Sequence, residues 1–212
     1  MVTNGFVSGF VTALRSARLL AIVRGHQPDA VRASVLTLFE AGVRMVEVSL
    51  TGRDALSVLA GLAPDVPDGC LLGAGTVRTE GDVGRVLDAG VGFMVSPAVT
   101  DAVPVAVSAG LPVLAGALTP TEIETALGFG ADAVKLFPAS LGGPPYLSAL
   151  RQPFPDVPLV PVGGVGAGET TDYLVRGAVA VGVGSPLLRD AASGGDLGAL
   201  AARAKAFLEA AA

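Results

Sequence analysis

The chain is short of the residues on which several kinds of function depend. Of its 212 residues one is cysteine, Cys70, one is histidine, His26, and none is tryptophan. A lone cysteine excludes an intramolecular disulfide, and one Cys with one His excludes a Cys/His metal cage within one chain. Aromatics make up 5% of residues although 51% are hydrophobic, so the apolar content is chiefly Ala, Val and Leu, which suits an α/β domain. The mean hydropathy of +0.63 raises the question of a membrane span. Charge, Gly or Pro interrupts every apolar run before the roughly 18 residues that a span needs, so no membrane partner is expected. A formal net charge of −5 with dispersed arginines provides no basic stripe for a phosphate backbone, and nucleic acid is not expected as a partner. Lysine is the scarcest cation: only Lys135 and Lys205 occur, and every other fixed positive charge is Arg.

The segment from Phe6 to Leu14 is apolar, but no basic segment precedes it and no clear cleavage site follows before Arg15 and Arg18. A first helix is expected there rather than a signal peptide. Together with the unpaired Cys70 this gives the expectation of a cytoplasmic protein.

What the chain has in abundance is one repeated unit. Apolar strand candidates begin at Leu19 (LLAIVRG), Met45 (MVEVSL), Leu71 (LLGAGTV), Phe93 (FMVSPA), Pro112 (PVLAGAL), Asp132 (DAVKLFPA), Pro158 (PLVPVGGV) and Val179 (VAVGVGSP). A turn and an Ala/Leu-rich amphipathic stretch follow each one. Spacings of about 20 to 26 residues hold a strand, a crossover helix and two short loops, which leaves no room for a second domain. Pro28 with Asp29, and Thr119 with Pro120 and Glu122, mark helix starts, whereas glycines 42, 90, 110, 130 and 177 mark helix ends. Eight βα units with right-handed crossovers predict one domain over 1–212, a closed (β/α)8 TIM barrel preceded by an N-terminal helix. A doubly wound open sheet is the rival architecture.

Strand parity then identifies side chains that enter the lumen. In MVEVSL the apolar Val46, Val48 and Leu50 must meet the helices, so Met45, Glu47, Ser49 and Thr51 share the inward face. In DAVKLFPA, Ala133, Lys135 and Phe137 face inward while Val134 and Leu136 face out. Lysine in an apolar strand is disfavoured as an ammonium by desolvation, and a neutral amine is a carbonyl nucleophile where a guanidinium is not. A nucleophilic amine beside a carboxylate that moves protons is what Schiff-base chemistry needs. A buried Lys135–Glu47 ion pair with a purely structural role is the alternative at this level. The segments GGV from Gly163 to Val165 and GVGS from Gly182 to Ser185 end the seventh and eighth strands, where such barrels commonly hold phosphate. Thr76 and Pro97 end the third and fourth strands. Tyr146 either reaches the substrate or caps the barrel.

The ordered set AIVRG, EVSL, GAGTV, MVSPA, LTPTE, VKLFPAS, PVGGV and VGVGS resembles the 2-keto-3-deoxy-6-phosphogluconate and 4-hydroxy-2-oxoglutarate aldolases across nearly the whole chain. The resemblance implies a class I aldolase without cofactor or metal that cleaves 2-dehydro-3-deoxy-6-phosphogluconate to pyruvate and glyceraldehyde 3-phosphate. Cleavage of 4-hydroxy-2-oxoglutarate to pyruvate and glyoxylate accompanies it in the family. It makes Lys135 the Schiff-base lysine and Glu47 the acid/base carboxylate. Thr76, Pro97 and Phe137 then line the pyruvate pocket, and Gly163, Gly164, Gly184 and Ser185 the phosphate end. The partners implied are keto acid and aldehyde substrates, and the assembly implied is a homotrimer. Two departures fall near the substrate. Thr51 stands where many members place a carboxylate-binding Arg, and Arg24 of AIVRG resembles the Arg of members that lack it. Val162 stands where gluconate-type members often have Thr, which resembles the 2-keto-3-deoxy-6-phosphogalactonate aldolases and gives the alternative substrate. A phosphosugar epimerase or isomerase could use the same loops without an inward lysine, and a non-catalytic sugar-phosphate sensor would bind without turnover.

Overall fold

A computed structural model describes residues 9–212. All eight expected strands form, and each is parallel to its neighbours: β1 (Leu19–Val23), β2 (Met45–Ser49), β3 (Leu71–Gly75), β4 (Phe93–Val95), β5 (Val113–Ala117), β6 (Ala133–Leu136), β7 (Leu159–Pro161) and β8 (Val181–Val183). The sheet runs in chain order from β1 to β7, with β8 on the free side of β1. The Val162↔Gly182 bridge and a hydrogen bond from Val179 N–H to the Leu159 carbonyl, 3.0 Å, join the two ends. This closure gives a (β/α)8 barrel and excludes the open sheet.

The crossover helices are α2 (Pro28–Glu40), α3 (Ala55–Leu62), α4 (Glu80–Asp88), α5 (Ala102–Ser108), α6 (Pro120–Gly128), α7 (Gly143–Arg151) and α8 (Ala167–Val175), after α1 (Gly9–Ala17) and before α9 (Ser185–Leu188) and α10 (Leu197–Ala211). The expected start of the first helix, at Phe6, lies outside the described residues. At the start of α6 the Thr119–Glu122 capping box forms: the Glu122 carboxylate accepts from Thr119 N–H at 2.7 Å, while Thr119 Oγ1 accepts from Glu122 N–H at 3.4 Å. The five glycines expected to end helices all adopt positive φ, between 75° and 99°, a conformation that costs a residue without Cβ little.

Two apolar clusters follow from the period-2 pattern. Outward residues such as Ala21, Val23, Val46, Val48, Val134 and Leu136 pack beneath the helices. Inward residues Leu20, Ile22, Met45, Phe93, Val95, Leu114, Ala133, Val160 and Val162 fill the lumen. Phe10 and Leu14 of α1 join this inner cluster, with the Phe10 and Phe93 rings 5.2 Å apart. The first helix therefore plugs one mouth of the barrel, and polar chemistry is confined to the other. The strands are shorter than their sequence patterns. β4 ends at Val95 and β7 at Pro161, and the residues beyond turn into the loops of the open mouth. Among the described residues no helix is long and apolar enough to cross a membrane.

Candidate active site

A cavity of about 460 Å³ opens at the carboxyl ends of the strands, and Arg24, Thr76, Pro97, Lys135, Phe137, Val162, Gly163, Gly164, Gly184 and Ser185 all line it. These are ten of the twelve residues selected by motif and parity. The eleventh, Glu47, is 1% exposed within the lumen. Only Thr51 stands apart. Leu50 N–H bonds to the Gly75 carbonyl and Gly52 N–H returns to that of Ser49, so the chain turns off the sheet and leaves Thr51 exposed. It communicates with the cavity through Ser49, whose Oγ lies 2.9 Å from both Thr51 Oγ1 and Thr76 Oγ1.

Lys135 emerges from β6 beneath this cavity. It is 7% exposed, and its Nζ lies 5.2 Å from the centre of the Phe137 ring, within cation–π range. Glu47 comes from β2 across the lumen. Its Oε2 is buried without a hydrogen-bond partner, and the ion pairs among the described residues lie on the outer surface and do not include it. The buried Lys135–Glu47 pair considered from sequence is thus not made by direct contact. Burial pushes the Glu47 carboxyl above its ordinary range, and the charges of Lys135 and Arg24, in that order, oppose the shift. A carboxyl so placed holds a proton more readily than one in water, while its cationic neighbours keep the ionised form within reach. It suits proton transfer in both directions.

The supporting shell explains the glycines. A Cβ on Gly75 would stand 2.5 Å from Glu47 Oε1, and one on Gly73 would stand 2.4 Å from the Phe93 ring; β3 thus yields its inward space to its neighbours. A Cβ on Gly116 would meet the Pro97 backbone at 2.3 Å, and Gly116 N–H donates to buried Ser96 Oγ at 3.2 Å. The loops after β6 and β7 are fastened together: Ala139 N–H donates to the Val162 carbonyl at 2.8 Å and Ser140 N–H to that of Gly163 at 3.0 Å. Gly163 and Gly164 have φ of 96° and 80°, and a Cβ on Gly163 would meet the Phe137 ring at 3.1 Å. The segment that follows Lys135 therefore holds the proposed anion loop in place. Tyr146 Oη donates to the Leu118 carbonyl at 2.7 Å, and Tyr146 is not among the cavity-lining residues, which favours the capping role.

Parity did not single out two features of this mouth. Thr76 has φ 61° and Arg189 has φ 47° with ψ −115°, backbone conformations that cost a non-glycine residue on the order of 1–3 kcal/mol. Arg189 lines the cavity together with Ile22, Pro186 and Leu188. Ser49, though counted as inward by parity, gains its importance from a cross-strand hydroxyl link that only the paired register reveals. Among the described residues no group of three or more His, Cys, Asp or Glu side chains lies together as a metal site.

The chain as a whole has relatives among known proteins. Residues 11–201 match the aldolase family described as KDPG and KHG aldolase. The chain is 38% identical over 181 residues to the probable 2-dehydro-3-deoxy-6-phosphogalactonate aldolase of Rhizobium meliloti (strain 1021), covering 84% of this chain and 85% of that one. It is 34% identical to the 2-dehydro-3-deoxy-6-phosphogalactonate aldolase of Escherichia coli (strain K12), covering 91% and 93% of the two chains. The fold also matches KDPG aldolase from Legionella pneumophila, solved with pyruvate captured at low pH as a covalent carbinolamine intermediate. That match has a TM-score of 0.86 and 27% identity over 95% of this chain and 98% of that one.

Proposed function

The chain belongs to the KDPG and KHG aldolase family, and from that premise we propose that it is a class I aldolase working through a Schiff base on Lys135. Its substrate is 2-dehydro-3-deoxy-6-phosphogluconate, cleaved to pyruvate and glyceraldehyde 3-phosphate, with 4-hydroxy-2-oxoglutarate as a further substrate. The observation that carries the reading is that one buried amine and one buried carboxyl share the barrel lumen without direct contact, below a mouth edged with glycines and arginines.

Lys135 Nζ adds to the C2 carbonyl, and the carbinolamine loses water to give an iminium. The positive nitrogen is the electron sink. Glu47, directly or through a water molecule, takes the C4 hydroxyl proton as the C3–C4 bond breaks, and its electrons move into the iminium to form an enamine. The aldehyde departs. Protonation at C3 regenerates an iminium, and water hydrolyses it to pyruvate and free Lys135. Arg24 pairs with the keto-acid carboxylate, and Thr76, Pro97 and Phe137 bound the pyruvate portion, with Thr51 acting through Ser49. Gly163, Gly164, Gly184 and Ser185 receive the phosphate. No step draws on a metal or an organic cofactor. The covalent carbinolamine of the Legionella relative supports the first bond in this sequence.

A second reading concerns configuration at C4. Val162 is buried in the cavity wall, where it offers a hydrocarbon surface instead of a hydroxyl. Both curated relatives described above are named for the galactonate compound. These observations favour 2-dehydro-3-deoxy-6-phosphogalactonate as the alternative substrate, with the same products. The proposal extends, on family membership alone, to a single barrel domain over 1–212 that assembles as a homotrimer in the cytoplasm.

Treatment with borohydride in the presence of pyruvate tests the central claim. Reduction of the iminium should add the mass of the reduced pyruvate adduct to Lys135, and Lys135→Arg should abolish both label and turnover. Unlabelled protein that still cleaves substrate would exclude the mechanism.

A further inference from the structure

The cavity holds one cation for which the aldol chemistry has no use. Lys135 forms the covalent bond, and Arg24 is close enough to Glu47 to act on its charge, which places it at the keto-acid end. Arg189 also lines the cavity, in company with Gly163, Gly164, Gly184 and Ser185, and it does not figure among the charges acting on Glu47. Among the described residues no hydrogen bond or ion pair engages its guanidinium, although its backbone N–H is bound to the Ser185 carbonyl at 2.9 Å. Its backbone lies at φ 47°, ψ −115°, a conformation that glycine would adopt with less strain. The fold thus keeps an arginine where glycine would sit more comfortably, at the cavity rim, with its donors unspent.

We infer that Arg189 is a specificity-determining residue, a phosphate-binding arginine that selects substrates ending in a phosphate dianion. The inference rests on the Schiff-base reading of the same cavity. A phosphorylated keto acid carries negative charge at both ends, and Arg24 and Arg189 supply a fixed cation for each. Guanidinium donors match phosphate oxygens in fork geometry, which an ammonium cannot reproduce. An unphosphorylated keto acid of similar length gains nothing from Arg189.

The test compares wild type with Arg189→Ala, Arg189→Lys and Arg189→Gly on the phosphorylated keto acid and on 4-hydroxy-2-oxoglutarate. For the Ala and Gly variants, kcat/KM on the phosphorylated substrate should fall about 10- to 100-fold, mainly through KM, as loss of a charge-assisted hydrogen bond implies. The unphosphorylated substrate should change by less than about 2-fold, inhibition by inorganic phosphate should weaken in parallel, and Lys should recover part of the loss. Arg189→Gly should melt no lower than wild type, because relief of strain offsets the added freedom of the unfolded chain. Equal losses on both substrates, or no loss on either, would overturn the role. Borohydride labelling of Lys135 with pyruvate in the same preparations separates the two claims. If wild type is not labelled, the Schiff-base reading fails, and calorimetric titration with inorganic phosphate still decides Arg189: weaker binding in Arg189→Ala supports the role, and unchanged binding overturns it.

Discussion

The inward side of Gly75 is occupied by the carboxyl group of Glu47: a Cβ on residue 75 would stand 2.5 Å from Glu47 Oε1. The atom displaced is the far end of a flexible side chain, so Gly75→Ala should fold but move the carboxyl. The expected result is a fall in kcat of about 10²-fold, within the range that a positioned acid or base contributes. Trapping of pyruvate on Lys135 by borohydride should persist. Steady-state kinetics beside the trapping assay checks this, and a variant with unchanged kcat would mean that Glu47 does not move the rate-determining proton.

Two residues earlier on the same strand the consequence is different. A Cβ on Gly73 would stand 2.4 Å from the Phe93 ring, which is fully buried and packed on Phe10 of the helix that plugs the barrel. The ring has no solvent to retreat into. Gly73→Ala should destabilise by about 1–3 kcal/mol, the usual cost of overpacking, and lower Tm by several degrees, at about 2–4 °C per kcal/mol for a chain of this size. Activity below the transition should remain, because Glu47 and Lys135 are not displaced. Thermal denaturation of the two alanine variants side by side would show whether β3 divides its glycines between stability and chemistry.

The parts of this site that are legible in the sequence are those governed by strand period. Glu47 and Lys135 could be placed in the lumen because alternation sends Val46, Val48, Val134 and Leu136 to the helices, and the scarcity of lysine made Lys135 conspicuous. The Thr119–Glu122 cap was legible because its chemistry is local. What escaped depends on register or on turns that bring distant residues together. Gly75 stands in the third strand candidate without a role of its own until β3 is laid beside β2, with Gly75 opposite Ser49. The Ser49–Thr76 link has the same origin, and so does the departure of Thr51 from the cavity once β2 ends at Ser49. Arg189 gave no signal, because it reaches the rim through a four-residue helix and a left-handed backbone step that no periodicity encodes.

The raised pKa of Glu47 makes stability depend on pH with a definite sign. Burial is the main cause, opposed by Lys135 and Arg24, and the ordinary value is 4.5. Because the folded protein holds this proton more tightly than the unfolded chain, the stabilising contribution is complete below about pH 4.5 and is lost as pH rises through the folded value. Glu47→Gln keeps the size and hydrogen-bonding capacity of the neutral acid without titrating. The Tm of Glu47→Gln minus that of wild type should therefore increase as pH rises above the ordinary value of 4.5, even as activity falls about 10²- to 10⁴-fold. A difference that narrows with rising pH would indicate that its cationic neighbours hold the carboxylate ionised.

Val162 is 4% exposed, lines the cavity and occupies the space that a side chain on Gly182 would need, with Cγ2 2.5 Å from such a Cβ. Threonine has nearly the same shape, so Val162→Thr replaces one methyl with a hydroxyl and leaves the wall in place. If this position reads the C4 hydroxyl, the new donor should improve kcat/KM for the gluconate compound relative to the galactonate compound. A ratio change of about tenfold corresponds to about 1.4 kcal/mol, the worth of one hydrogen bond made to a substrate hydroxyl. Stability should fall by about 1 kcal/mol or less, because the hydroxyl can turn toward the cavity and its water. Competition kinetics with both substrates in one tube gives the ratio directly. An unchanged ratio would place the configurational choice in residues other than Val162.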